Sequence, residues 1–287
     1  MLSGTPSNAT EGRQPGLTSD LKGHRVNVLG VGISAINMDQ ALEAIDHWIR
    51  HREQRYITVT PAHSVMECLR DSNLRELFNR SGLTTPDGMS LVWLLRMKGH
   101  RHVGRVYGPD LLLAVCKRSQ MKDYRHYFYG GGPGVAEALV ASLQKQFPSL
   151  HTVGAFSPPF GELTPDEDAE ITKAINAGRP NIVWVGIGTP KQERWMAAHI
   201  GRIEAPVLIG IGAAFDFLSG RKPQAPRWMQ RTGLEWLFRL ATEPRRLWPR
   251  YRQYPLFVLL VLAQMLGLRT YPMSVQHVDS FESRSPS

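Results

Sequence analysis

Residues 181–195, Asn-Ile-Val-Trp-Val-Gly-Ile-Gly-Thr-Pro-Lys-Gln-Glu-Arg-Trp, leave few folds open. Residues 182–185 are a short apolar run of the kind a buried parallel strand shows. The run breaks at Gly186 and Gly188 and restarts as a helix. Thr189 is expected as N-cap, Pro190 at the first helical position and Gln192 in a capping box. Strand, glycine turn and helix N-terminus together present backbone N–H groups to an anion, most often a phosphate. The plainer alternative is that Thr189 and Gln192 only cap a helix.

The same unit recurs along the chain. Residues 25–29 are expected as a strand, followed by Gly30-Val-Gly-Ile-Ser-Ala35, which matches G-x-G-x-x-A. A dinucleotide site is discounted, because the next strand, 56–60, ends in Thr rather than in a ribose-binding acid. Thr60 stands at that strand's carboxyl end, where open α/β sheets place ligands, and it can also serve as an N-cap. Asp87 precedes Gly88, so it is either turn chemistry or a carboxylate held at a helix start beside a cleft. A second glycine turn, Gly130-Gly-Gly-Pro-Gly134, follows the strand 126–129. It lacks the Gly-Lys-Ser/Thr of a P-loop, so Gly130 and Gly132 suggest either a diphosphate or ribose contact or close backbone packing. Asp166 and Asp168 form a D-x-D pair but fall in the first turn of a helix, where acids favour the dipole, and a metal is not expected there. About six strand–helix units predict an α/β fold: a doubly wound, mainly parallel sheet with helices on both faces.

Composition separates the C-terminal part from the rest. Of the 287 residues, 221–252 hold nine basic and two acidic ones, a surplus of seven in a chain whose net charge is +9. Trp228, Trp236, Phe238, Trp248 and Tyr251 alternate with these charges, and residues 255–268 are almost wholly apolar. Fourteen helical residues reach about 21 Å, short of a hydrocarbon core of ~30 Å. Arginines, tryptophans and a short apolar helix suit a bilayer interface, or a helix packed on the core or on another subunit. Nucleic acid would leave the apolar run without a role, so none is expected as a partner. Cys68 and Cys116 read as buried free thiols of a reducing compartment. Residues 1–22 have no apolar core and are not expected to be a signal peptide. The expected organisation is a disordered tail (1–24), an α/β core (25–220), a basic and apolar helical appendage (221–270) and a second disordered tail (271–287).

Thr60-Pro61, Thr85-Pro-Asp87-Gly88, the turn at Gly130, Val185-Gly-Ile-Gly-Thr-Pro-Lys-Gln-Glu193 and Gly212-Ala-Ala-Phe-Asp216 follow one another in the order of a known family. So do Ala225-Pro-Arg-Trp, Gly233-Leu-Glu-Trp-Leu-Phe-Arg239 and Glu243-Pro-Arg. From residue 26 to 252 the sequence resembles the WecG/TagA/CpsF glycosyltransferases (glycosyltransferase family 26). The resemblance implies a Rossmann-like core and a membrane-binding appendage. It also implies an inverting, metal-independent hexosyltransferase, with a UDP-sugar as donor and a polyprenyl-diphosphate-linked sugar as acceptor. Such an enzyme would build exopolysaccharide or another cell-surface polysaccharide, peripherally bound at the cytoplasmic face of the bacterial inner membrane. No cofactor is implied, and self-association is left open. By the same resemblance Asp87 is the catalytic base and Thr60 an active-site residue that holds sugar or acceptor. Gly186, Gly188, Thr189 and Gln192, with Arg239, Arg246 and Arg250, would bind the diphosphate. The sequence departs from the family at Ala62, where many members have Asn, and His63 follows it. The identity of the donor sugar or of the acceptor is therefore open. A non-catalytic, membrane-associated nucleotide-binding module and an NAD-dependent sugar dehydrogenase are the alternatives.

Overall fold

The computed structural model describes residues 24–273, apart from 160 and 162. The expectations for residues 1–23 and 274–287 lie outside the described residues. Six strands form one parallel sheet: β3 (Arg55–Thr60), β4 (Leu83–Pro86), β5 (His126–Gly130), β6 (Thr152–Phe156), β7 (Ile182–Gly186) and β8 (Val207–Gly210). Their order is β4-β3-β8-β7-β5-β6. Alternate residues face opposite sides of each strand, and they enter two separate cores. Ile57, Phe128, Trp184 and Ile209 pack with α1 (Met38–His51), α5 (Gly108–Lys122) and α6 (Val135–Gln146). Tyr56, Tyr127, Val183 and Leu208 pack with α7 (Pro165–Ala177) and α8 (Lys191–His199). Helices on both faces bury every strand of the sheet interior, which is why these strands read as continuous apolar runs.

The first predicted strand does not join the sheet. β1 (Arg25–Val28) pairs antiparallel with β2 (Val31–Ser34), through a two-residue turn in which Leu29 and Gly30 have φ of 53° and 87°. Both central residues at positive φ match the tight hairpin turn that suits strand twist. The G-x-G-x-x-A match is therefore a hairpin, not a strand-to-helix phosphate turn. From β1, Arg25 reaches the C-terminal end of α3 (Ser72–Arg80) and donates to the carbonyls of Phe78, Asn79, Ser81 and Gly82. Helix ends leave such carbonyls unpaired, and here one guanidinium satisfies several.

The chain turns from β5 to β6 in one direction and from β7 to β8 in the other. That reversal opens a crevice at the carboxyl ends of β5 and β7, the usual ligand position in such sheets. Both glycine turns end there. Gly130 has φ of 140°, and a Cβ on it would lie 2.6 Å from the backbone of Gly186. Close strand packing, rather than a ligand, accounts for this glycine.

The remaining helices are α2 (Ala62–Arg70), α4 (Met89–Met97), α9 (Ala214–Leu218), and the appendage: α10 (Arg227–Arg231), α11 (Glu235–Thr242), α12 (Pro244–Tyr251) and α13 (Tyr254–Met265). Ion pairs tie the appendage to the core. Arg227 meets Asp110 at 2.7 Å, Lys222 bridges Asp216 at 3.0 Å and Glu243 at 3.1 Å, and Glu235 meets Arg105. One side of α13, through Phe257 and Val261, packs into the core that holds Val28, Leu29 and Val65. Its other side, with Leu256, Val258, Leu259 and Leu262, is exposed. No helix among the described residues is long and apolar enough to cross a membrane. Residues 271–273 were expected in the tail, yet the Tyr271 carbonyl accepts from Asn27 Nδ2 at 2.6 Å.

Candidate active site

A cavity of about 980 Å³ lies over the carboxyl ends of the strands. Its floor is built by the segments that leave them: Asp87 after β4, His63 after β3, Gly212 to Phe217 after β8, Gly186 to Gln192 after β7, and Gly131 and Gly132 after β5. The appendage supplies the opposite wall with Arg239, Arg246 and Arg250. Sequence positions 150 residues apart therefore meet around one space.

Asp87 is half-buried, with its accessible part on the cavity. Its N–H donates to the Thr60 carbonyl at 3.2 Å, and its Oδ1 accepts from the Gly108 N–H at 3.3 Å. Burial pushes the carboxyl up to about 6, with Glu235 adding to the rise, while Arg105, the Gly108 N–H and Arg239 oppose it. A carboxylate poised in this way ionises near neutrality and has affinity for a proton, as a general base requires.

Thr60 departs from its expected role as a hydrogen-bond donor to ligand. It is fully buried, and its hydroxyl donates back to the Thr58 carbonyl at 3.1 Å. Its position below the floor leaves the Asp87 contact, made through its carbonyl, as its link to the site. Thr189 and Gln192 also differ from the capping box. The helix starts at Lys191, Pro190 stands at the cap position and makes no side-chain cap, and the Thr189–Pro190 peptide is cis. With the helix starting one residue late, Thr189 Oγ1 instead donates to Glu193 Oε1 at 3.0 Å, and Gln192 Nε2 donates to the same oxygen at 2.9 Å. Glu193 is fully buried, and burial pushes its carboxyl above the usual range. Gly132, Gly186, Gly188 and Thr189 do line the cavity, whereas Gly130 does not.

Arg239 is half-buried, with a buried Nε that has no partner, and its guanidinium lies 5.4 Å from the Phe217 ring centre. Arg246 forks onto Glu243, at 2.5 Å and 2.6 Å. Burial, then Arg246 and Arg239, lower the pKa of Arg250. Burial and the Arg250 and Arg239 charges hold His63 down at about 3, so it is neutral at pH 7. Arg239 and Arg250, beside a neutral histidine, leave positive charge on this wall that Glu243 does not balance, a setting that favours an anion.

At the far end, Asp168 accepts from Arg202 at 2.7 Å and meets His199 Nε2 at 2.8 Å, while Asp166 is exposed. The D-x-D pair is thus a helix-start acid and an ion-pair partner. No group of three or more His, Cys, Asp or Glu among the described residues is placed to hold a metal. Three residues to which the sequence alone gave no role in the site are Arg105, Tyr107 and Glu235. Arg105 Nε donates to the Asp87 carbonyl, Arg105 also pairs with Glu235, and the Tyr107 hydroxyl donates to Glu235 at 2.9 Å. One signal was available: Glu235 and Glu243 are the two acids in a strongly basic stretch, and both turn inward onto cations.

A family model for the "Glycosyl transferase WecG/TagA/CpsF family" matches residues 26–271. The chain is 26% identical over 225 residues to an N-acetylglucosaminyldiphosphoundecaprenol N-acetyl-beta-D-mannosaminyltransferase of Bacillus subtilis (strain 168), covering 78% of this chain and 86% of the relative. A protein of the same name from Staphylococcus aureus (strain NCTC 8325 / PS 47) is 25% identical over 236 residues, covering 82% and 91%. A crevice at the switch point of a parallel sheet, a carboxylate with raised proton affinity and a family match over most of the sequence agree: the chain belongs to the WecG/TagA/CpsF glycosyl transferase family.

Proposed function

We propose that the protein transfers a sugar from a UDP-sugar to a polyprenyl-diphosphate-linked sugar, with inversion and without a metal, in the synthesis of a cell-surface polysaccharide. The observation that carries this reading is one cavity with Asp87 on its floor and three arginines on its wall. The relatives' names support the acceptor class, a sugar on undecaprenyl diphosphate. Asp87 takes the proton of the acceptor hydroxyl as that oxygen bonds to the anomeric carbon. The bond from this carbon to the diphosphate oxygen breaks on the opposite face, and UDP leaves with the electron pair. Attack from the opposite face inverts the centre. Arg239, Arg250 and Arg246 meet the charge that grows on the leaving diphosphate. Thr60 acts through its carbonyl, by holding the backbone of Asp87.

The test is the product. Its new linkage, read by NMR, has the anomeric configuration opposite to the donor's; a retained configuration overturns the one-step reading. The pH profile gives a second check. Asp87 works as the carboxylate, so protonation below its pKa of about 6 removes the base. The chemical step is expected to fall about tenfold per pH unit below that point and to level off above it.

The exposed side of α13 and exposed Trp228 and Trp248, with Arg231, Arg245 and Arg252, would bring the enzyme to its lipid-linked acceptor at the inner-membrane surface. Leu259→Asp combined with Leu262→Asp is expected to lower binding to anionic vesicles at least tenfold in a sedimentation assay, since each apolar side chain contributes about 1.5–3 kcal/mol when buried. Turnover of a short-chain, water-soluble acceptor should remain unchanged.

A further inference from the structure

We infer that Glu235, on the appendage, is a positioning residue for the catalytic base: it holds Arg105 on the backbone of Asp87 and away from the Asp87 carboxylate. The inference rests on the reading of Asp87 as the base.

Residues 105–108 wrap the end of β4. The Val106 N–H donates to the Pro86 carbonyl at 3.0 Å, and the Gly108 N–H donates to Asp87 Oδ1 at 3.3 Å. Arg105 stands just before these two contacts, with every arm of its guanidinium engaged. Nε donates to the Asp87 carbonyl, Nη1 to the Gln230 carbonyl at 3.3 Å, and Nη2 to Glu235 Oε2. Its plane lies 3.9 Å over the Tyr107 ring, and the Tyr107 hydroxyl occupies the other oxygen of Glu235. The Arg105 and Glu235 side chains are 15% and 12% exposed, so water screens the pair little. Glu235 thus fixes both the cation and the loop that surround the base.

The charged and titratable groups facing Asp87 come from four elements: Arg105 and Tyr107 from the loop, Glu235 and Arg239 from α11, Tyr251 from α12 and Tyr254 from α13. Among them Glu235 is the one other carboxylate. Asp87 and Glu235 are the two carboxylates whose charges act on Arg105, so without Glu235 the guanidinium is left to Asp87. An arginine paired with a carboxylate lowers its pKa and occupies the oxygen that must accept the proton. The appendage therefore supplies more than diphosphate ligands, since it also keeps the base free to work.

Arg239 lies one helical turn beyond Glu235 on α11, and this separates positioning from mere support. If Glu235 only held the appendage in place, its loss would release Arg239 and weaken UDP binding. Glu235→Gln is expected to lower kcat about 10- to 100-fold, the scale of a misplaced catalytic group, while UDP affinity by calorimetry stays within about threefold of wild type. The acid limb of the pH profile should move to lower pH, because a negative neighbour is lost and a positive one approaches. Arg105→Gln added to Glu235→Gln should lower kcat no further, as the two act as one unit. Wild-type kcat and pH profile in Glu235→Gln, a loss that follows UDP affinity, or additive losses in the double variant would each overturn the inference. Asp87→Asn is run beside them. If that variant still transfers sugar, the reading of the base fails; if it is inactive and Glu235→Gln is normal, the positioning inference alone fails.

Discussion

Asp87→Asn is expected to lower sugar transfer by about 10²- to 10⁴-fold, the usual contribution of a general base, and to leave UDP affinity unchanged. The substitution keeps the shape and the bond from the Gly108 N–H, but an amide cannot accept the acceptor's proton at the pH where the carboxylate does. Because burial is the first cause of the raised pKa, the neutral amide is well tolerated in this position. Folding is therefore not expected to suffer, and the melting temperature should match or exceed that of the wild type. Single-turnover transfer and calorimetric UDP binding, measured on the same preparation, check the split. A loss of binding together with transfer would mean that Asp87 holds the nucleotide instead.

Arg239→Ala is expected to have the second largest effect, lowering kcat/KM by about 10²- to 10³-fold, as removal of a preorganised donor from a developing charge does. The three arginines should not be equal. Arg246 already shares its charge with Glu243, so its loss removes less, and Arg250 is further from neutral pairing but carries its charge against two like neighbours. The expected order of loss is Arg239, then Arg250, then Arg246. Arg239 leads because it is the most enclosed of the three, with an unpaired buried Nε and Phe217 at its face. UDP affinity should weaken in the same order, by about tenfold or more for Arg239→Ala. Equal losses across the three would show that net charge, not position, binds the diphosphate.

Much of this site was legible because its parts sit at places that sequence pattern marks. Short apolar runs ending in glycine gave the strands β5 and β7 and their crevice, and Asp87 stood beside a turn at a helix start. The basic surplus in residues 221–252 gave the appendage. The rest depended on facts that no local pattern holds. β1 looks like any sheet strand, but Leu29 adopts positive φ and turns the chain into a hairpin. Thr60 has the right position, yet strand geometry sends its hydroxyl back to Thr58. α8 begins one residue later than its Thr-Pro pair suggested, so Thr189 and Gln192 serve Glu193 rather than the helix end. Arg105 and Glu235 are separated by 130 residues, and only the folded chain brings them together. Arg239, Arg246 and Arg250 line the cavity as expected of neighbours in one basic stretch, whereas the network behind Asp87 joins distant segments.

The most direct test of the account is UDP release from a panel of UDP-sugars, with a polyprenyl-diphosphate-linked sugar as acceptor and EDTA throughout, for wild type and Asp87→Asn. Acceptor-dependent release from one donor, unaffected by EDTA and lost in the variant, is the expected result. No acceptor-dependent release from any donor while UDP still binds, or release that survives Asp87→Asn, would contradict it and favour a nucleotide-binding module without transfer activity.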